Sequence, residues 1–253
     1  MAKVISISLF KGGTGKTTTA VNLASGLAKK GKRVLLVDLD QQASATRHVG
    51  IDPDKIEKNL YHVFMRQTPA SLVVRKTAFN FDILPSHPLM AAIEEALEAK
   101  KDEGLLKELI APLFPDYDYL VIDTPPGKQL LGFNALCSAD WVLAPVSAER
   151  MAIDGLTDLI NHVTDIMWGN YEELANQEIR ILFTMYKANT SHSPGVVKQA
   201  KKIWRKNVLR TVIPETIEFP RSFEKKKPLI DYNPKHKGSL AYLQLADWVI
   251  KNI

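Results

Sequence analysis

The stretch Phe10-Lys11-Gly12-Gly13-Thr14-Gly15-Lys16-Thr17-Thr18 constrains this chain more than any other. It lies between an apolar run at residues 4–9 and a segment in which Ala20, Leu23, Ala24 and Leu27 recur at helical spacing. A strand that turns through glycines into a helix gathers backbone N–H groups and the positive end of the helix dipole at one spot. Phosphate oxygens bind there. Lys16 then reaches the β- and γ-phosphates, and the Thr17 hydroxyl ligates Mg²⁺. Glycines alone would be a weak signal, but here the Gly-Lys-Thr ending, the preceding strand and the following helix agree. The expected ligands of Gly12, Gly13, Thr14, Gly15, Lys16, Thr17 and Thr18 are therefore a nucleoside triphosphate and Mg²⁺.

The rest of the chain suits such a loop. Residues 34–37, 81–84, 119–122, 141–146, 179–183 and 208–213 read as strands, with helical patterns between them, as at 91–101. This alternation predicts an α/β fold, a mostly parallel sheet flanked by helices on both faces. No repeat or low-complexity linker interrupts it, so residues 1–253 read as a single P-loop domain. The one cysteine, Cys137, reads as a small buried hydrophobe in a reduced, cytoplasmic protein; a single thiol makes neither an internal disulfide nor the paired ligands of an iron–sulfur cluster. No apolar run approaches bilayer length. Residues 240–253 carry only Lys251 as a cation and read as a helix docked on the sheet, not as a membrane-surface helix.

Acidic residues mark two strand ends. Asp38 and Asp40 follow the second strand, where ligands of open α/β sheets bind. Asp123 closes Tyr119-Leu120-Val121-Ile122 and precedes Thr124-Pro125-Pro126-Gly127. Four apolar residues ending in Asp form the Walker B pattern, in which the carboxylate acts on Mg²⁺, usually through water. The Pro-Pro-Gly loop behind it has the makings of a switch that answers to the γ-phosphate.

Lys11 stands where the usual phosphate loop has none, giving Lys-Gly-Gly-x-Gly-Lys-Thr-Thr, and in this the chain resembles the ParA/MinD-type deviant Walker ATPases. The resemblance continues through Phe133-Asn134-Ala135-Leu136, Ala139-Asp140, Gly155-Leu156, Thr184-Met185-Tyr186 and Val212-Ile213-Pro214 to Lys227-Pro228-Leu229, Gly238 and Ala241-Tyr242. It is nearest to the short Soj-like partition ATPases, since the chain starts at the first strand with no N-terminal helix-turn-helix extension. The resemblance implies a homodimer that forms on ATP binding, with Lys11 reaching the partner's nucleotide. It casts Lys16 and Asp40 with Lys11 as catalytic residues, Asp38 beside Thr17 and Asp123 near Mg²⁺, and Met185 and Pro214 as packing for the adenine. Other implied features are slow intrinsic hydrolysis, a stimulating ParB-like or other adaptor, nonspecific double-stranded DNA bound in the ATP state, nucleoid association within the cytoplasm, and no membrane. Protein cargo in place of DNA, or a MinD-like membrane role, are the alternatives.

The sequence departs from the family at Gln41, where proline is usual, at Asn189, and at Glu215 and Glu218, where relatives favour DNA-binding arginines. Residues 187–238 nevertheless hold thirteen Lys/Arg against four acids, a local excess of nine in a chain whose net charge is +5. Val196, Val197, Ala200, Ile203 and Trp204 fall at helical spacing, and Lys198, Lys201, Lys202, Arg205 and Lys206 occupy much of the remaining surface. Lys225, Lys226 and Lys227 form a second cluster. Phosphate contacts need cations, not particular base-reading side chains, so these eight are the DNA-binding candidates. A solvated basic face would read the same way.

Overall fold

Leu/Ile/Val-rich runs form the strands, as their alternation with amphipathic segments requires. The computed structural model describes residues 2–100, 104–148 and 178–253. Its strands are β1 (Lys3–Ile7), β2 (Val34–Asp38), β3 (Arg75–Lys76), β4 (Asp82–Leu84), β5 (Tyr119–Asp123), β6 (Trp141–Ser147), β7 (Glu178–Tyr186) and β8 (Val208–Pro214). They form one sheet in the order β3-β4-β2-β5-β1-β6-β7-β8. Every pairing is parallel except β3 with β4.

The helices are α1 (Lys16–Lys29), α2 (Ser44–His48), α3 (Leu60–Phe64), α4 (Met90–Lys100), α5 (Leu105–Ile110), α6 (Leu130–Ser138), α7 (His192–Trp204), α8 (Glu218–Glu224), α9 (Leu229–Tyr232) and α10 (Lys237–Asn252). Successive side chains of each strand point to opposite faces, and the helices cover both. On one face Ile5, Leu36, Val121, Leu143, Leu182 and Leu209 pack with Leu23 and Leu27 of α1 and Leu245 and Val249 of α10. On the other, Val4, Leu35, Leu120 and Ile122 meet Leu60, Ile93, Leu106 and Leu131 of α3–α6. Farther along that second face, Val142, Ala144, Ile181 and Phe183 pack against Val196, Val197 and Ala200 of α7.

The chain leaves β1 toward β2 on one side and later returns to β6 on the other. The loop after β1 therefore opens at a point where strand order reverses, the position at which open α/β sheets bind ligands. The expected helix over 240–253 is α10, and it docks as the sequence suggested: the Tyr242 hydroxyl lies 3.0 Å from Thr19 Oγ1 on α1. Two details differ from the sequence reading. β1 ends at Ile7, because Ser8 and Leu9 already belong to the loop. The antiparallel edge pair β3 was not foreseen, since two polar residues carry no periodicity. Lys101, at the end of the expected helix 91–101, and Gly155-Leu156 lie outside the described residues. Among the described residues no helix is long and apolar enough to cross a membrane.

Candidate nucleotide site

The phosphate loop is shaped by glycines at the positions that need them. Gly13 has φ 70° and Gly15, the residue before α1, has φ 89°. A Cβ on Gly15 would come no closer than 3.8 Å to Thr184, so conformation and not space demands glycine there. Three long-range hydrogen bonds hold the loop. Thr184 Oγ1 donates to the Thr14 carbonyl at 2.8 Å, Gly127 N–H to the Phe10 carbonyl at 2.7 Å, and Thr124 Oγ1 to the Ile7 carbonyl at 2.9 Å. β1, β5 and β7 are thereby tied around one bowl. Lys16 is buried and donates to the Lys11 carbonyl at 3.2 Å. Burial pushes its ammonium pKa down, against the opposing pull of Asp123 and Asp40. Lys11 is exposed at the rim.

The three acids take different environments. Asp38 and Asp123 are register partners on β2 and β5, and both are fully buried. Asp38 is occupied: Oδ2 accepts from Thr46 N–H at 2.8 Å and Thr46 Oγ1 at 2.7 Å, and Oδ1 accepts from Asp40 N–H at 3.2 Å. Burial nonetheless raises its pKa to about 7, Thr46 offsetting part of the effect. Asp38 thus braces the turn into α2. Asp123 is the reverse case: neither carboxylate oxygen has a partner in hydrogen-bond geometry, although the Thr17 hydroxyl stands close enough to stabilise its charge. Its pKa is pushed well above the usual range, first by burial and then by the Asp38 charge, with weaker opposing pulls from the Thr17 hydroxyl and Lys16. A buried carboxylate left unpaired is costly unless a cation meets it. Asp40 lies at the edge of the bowl, nearly buried, with Oδ1 accepting from Gln42 N–H at 2.9 Å; burial raises its pKa too. The turn keeps its shape without proline at Gln41, because Ala43 N–H reaches the Asp40 carbonyl at 2.8 Å and Ala43 adopts φ 50°.

Gly12 through Thr18, Asp40, Thr124, Pro126 and Met185 line a cavity of about 350 Å³. A second cavity of about 500 Å³ shares Gly15, Thr18 and Met185 with it and continues past Pro214, Phe219, Phe223 and Tyr242. The first is ringed by the phosphate-loop residues and mixes polar with apolar surface, and the second is apolar and aromatic. Their sequence suits a polyphosphate joined to a planar base. The structure therefore gathers Gly12–Thr18, Asp40 and Met185 around one cavity, with Pro214 on the adjoining one; Asp123 is buried behind Thr124, and Lys11 lines neither. Met185 is held at φ 51°, with Ser147 Oγ 3.5 Å from its sulfur.

The basic candidates are not brought together. Lys198, Lys201, Lys202, Arg205 and Lys206 are all exposed on or just after α7. Lys225, Lys226 and Lys227 follow α8 on the opposite face, where Lys226 sits 3.8 Å from the Cβ direction of Gly50 and the Lys227 carbonyl lies 3.1 Å from His48 Nε2. Glu215 pairs with Lys187 at 2.8 Å, and Glu218 with Arg221 at 2.7 Å. Arg221 holds the Glu218 carboxyl below its ordinary pKa.

Sequence reasoning passed over several residues. Thr46 anchors Asp38 and also accepts from Ser86 N–H at 3.0 Å, while Ser86 Oγ donates to the Asp40 carbonyl at 2.7 Å. Neither belongs to a motif. Phe219 and Phe223 were invisible as cavity wall, because only the return of α8 over the sheet brings them to Gly15. Thr184 and Thr124 stood in quoted motifs without a role.

Residues 2–181 match the family described as AAA domain. The sporulation initiation inhibitor protein Soj of Bacillus subtilis (strain 168) is 37% identical over 254 residues, covering 100% of each chain. The chromosome partitioning protein ParA of Myxococcus xanthus is 33% identical, over 99% of this chain and 89% of its own. Among solved structures, cobyrinic acid a,c-diamide synthase from Mycobacterium smegmatis with bound ADP and magnesium superposes with a TM-score of 0.87. It is 29% identical and covers 99% of this chain and 95% of its own. With the deviant phosphate loop, the Asp123 strand end and full-length similarity to Soj and ParA in agreement, the chain belongs to the ParA/MinD-type P-loop ATPases.

Proposed function

We propose that the protein is a partition or positioning ATPase that binds ATP with Mg²⁺, closes as a homodimer, holds nonspecific DNA in that state, and releases it on hydrolysis stimulated by a ParB-like adaptor. The observation that carries the nucleotide part is Asp123, fully buried just before the bowl-lining Thr124, near Thr17 and Lys16, with no partner in hydrogen-bond geometry on either oxygen. Such a donor set fits a hydrated divalent cation together with the Thr17 hydroxyl. When bound, Mg²⁺ supplies charge neutralisation for the β- and γ-phosphates. Gly12–Thr18 cradle the phosphates with backbone N–H groups, and Lys16 balances their charge. Asp40 orients the attacking water. Lys11, exposed at the rim, reaches the nucleotide of a second copy, which links dimerisation to ATP. Met185 and Pro214 pack the base. Preorganised charge around the leaving phosphate is the main catalytic contribution, and turnover is slow without the adaptor.

DNA is held by the exposed cations of α7, with Lys225–Lys227 as a second, separate contact. The ion pairs of Glu215 and Glu218 keep those acids from repelling phosphate at full charge. A protein cargo in place of DNA is the competing reading, favoured by acids standing where relatives favour arginines. The test is fluorescence anisotropy of a random-sequence duplex with ATP, with ADP, and with the Asp40→Ala variant in ATP, at two salt concentrations. Salt-sensitive binding only with ATP, persisting in the variant, supports the proposal. Equal weak binding in every state overturns the DNA part.

A further inference from the structure

The loop between Asp123 and α6 lines the phosphate bowl through Thr124 and Pro126. Its near end is tied to the phosphate loop by the Thr124 and Gly127 hydrogen bonds described above. Its far end runs into α6, whose N-cap residue Gln129 offers no side-chain bond to the helix. That function is filled from elsewhere. Glu94, on α4, accepts from Leu130 N–H on Oε1 and from Leu131 N–H on Oε2, the latter at 3.0 Å. A carboxylate across the first amides of a helix makes charge-assisted bonds and meets the positive end of the dipole. From the other side, the fully buried Asn134 donates to the Leu130 carbonyl at 3.1 Å and accepts from Leu106 N–H at 2.9 Å, at the start of α5. α6 is thus held at its first turn by α4 and one turn farther on, through Asn134, by α5.

We propose that Glu94 is a positioning residue for ATP hydrolysis: by fixing the first turn of α6 it sets where residues 124–129 lie over the phosphate bowl. This rests on the proposed ATPase function. Glu94 lies far in sequence from every motif and lines neither of the cavities described, and its hydrogen bonds go to Leu130 and Leu131, so its action runs through the loop. A loop free to shift by about an ångström loses alignment at the reacting phosphate without losing the amides and Lys16 that bind it.

The test compares Glu94→Gln, Glu94→Asp and Glu94→Ala in the full chain. In Glu94→Gln the amide NH₂ faces one of the two N–H groups, so one bond and the charge are lost while volume is kept. The expected result is a kcat about tenfold lower with KM for ATP changed by less than about twofold. Amide exchange should quicken at residues 124–131 but not in β1 or α1, and Glu94→Asp should recover part of kcat. Unchanged kcat and exchange in Glu94→Gln would overturn the proposal. So would losses of kcat that simply track the fall in melting temperature across the three variants. Should the wild-type protein show no ATP hydrolysis, the ATPase reading falls instead. Exchange at 124–131 with Mg-ATP present then decides Glu94: an unaltered pattern in Glu94→Gln overturns its positioning role, and quickened exchange supports it.

Discussion

The phosphate bowl and the basic face of α7 are both polar and both candidate anion sites, yet they are built in opposite ways. Around the bowl the polar groups are buried and tied by specific hydrogen bonds: Thr184 to the Thr14 carbonyl, Thr46 to the Asp38 carboxylate, Ser86 to the Asp40 carbonyl. On α7 the lysines stand in solvent over an apolar strip of Val196, Val197 and Ala200. Among the described residues none of them is ion-paired. A buried site gains its energy from low dielectric and fixed geometry, so each member matters greatly. An exposed face gains it from the number of cations released from counterions, so each member matters a little.

The largest expected effect follows directly. Lys16→Ala removes the cation that lines the bowl among the described residues, and ATP turnover should fall about a thousandfold in a phosphate-release assay while the fold persists. A loss as small as that from any single α7 substitution would erase the distinction between the two regions.

His48 tests whether burial counts as much just outside the bowl. It is buried against Phe223 and the Lys227 carbonyl, and burial pushes its pKa down to about 4, the carbonyl pulling partly the other way. An unfolded histidine titrates near 6.5. The folded value is depressed, so the contribution to stability is complete above about pH 6.5 and is lost as pH falls through about 4. Its size is on the order of 3 kcal/mol. The fall in unfolding free energy between pH 7.5 and pH 4, taken from urea titrations, should be larger in wild type than in His48→Gln by about that amount.

A smaller effect is expected at Thr46→Val. Asp38 loses one of its two bonds from Thr46, and Ser86 N–H loses its acceptor, while shape is kept. Leaving buried polar groups unmet costs about 2 kcal/mol. A melting-temperature shift should report it in the nucleotide-free protein.

These cases also show why some of the molecule was legible in the sequence and some was not. The loop Gly12–Thr18 and the acids at strand ends were readable because phosphate chemistry demands fixed residue types at fixed local spacing. The sheet was readable because β-branched runs must be buried. Thr46, Ser86 and Glu94 were not, because hydrogen bonds that span from eight to more than forty residues leave no local pattern. The Arg75–Lys76 edge pair was lost for lack of periodicity. The lysines of α7 were easy to see and hard to interpret, since an exposed cation looks the same whether or not DNA covers it. Their grouping with Lys225–Lys227 was a sequence impression, and folding puts the two clusters on opposite faces of the sheet.

That separation supplies the finest test, and the smallest expected effect per residue. If α7 is the main DNA surface, Lys201→Ala with Lys202→Ala should weaken ATP-dependent duplex binding about tenfold at moderate salt. The slope of log affinity against log salt should drop by about 1.8, the signature of two lost phosphate contacts. Replacing Lys225 and Lys226 in the same way should change both quantities less, because that cluster sits against Gly50 and His48 beside the base cavity. ATP turnover without DNA should stay unchanged in the α7 pair, whose side chains are remote from the bowl. Equal losses from the two pairs would mean that DNA contacts both faces of the sheet, as it could only by wrapping the protein or by binding separate copies. A loss confined to Lys225 and Lys226 would move the DNA surface to the rim of the nucleotide site, where bound nucleotide and bound DNA would sense each other directly.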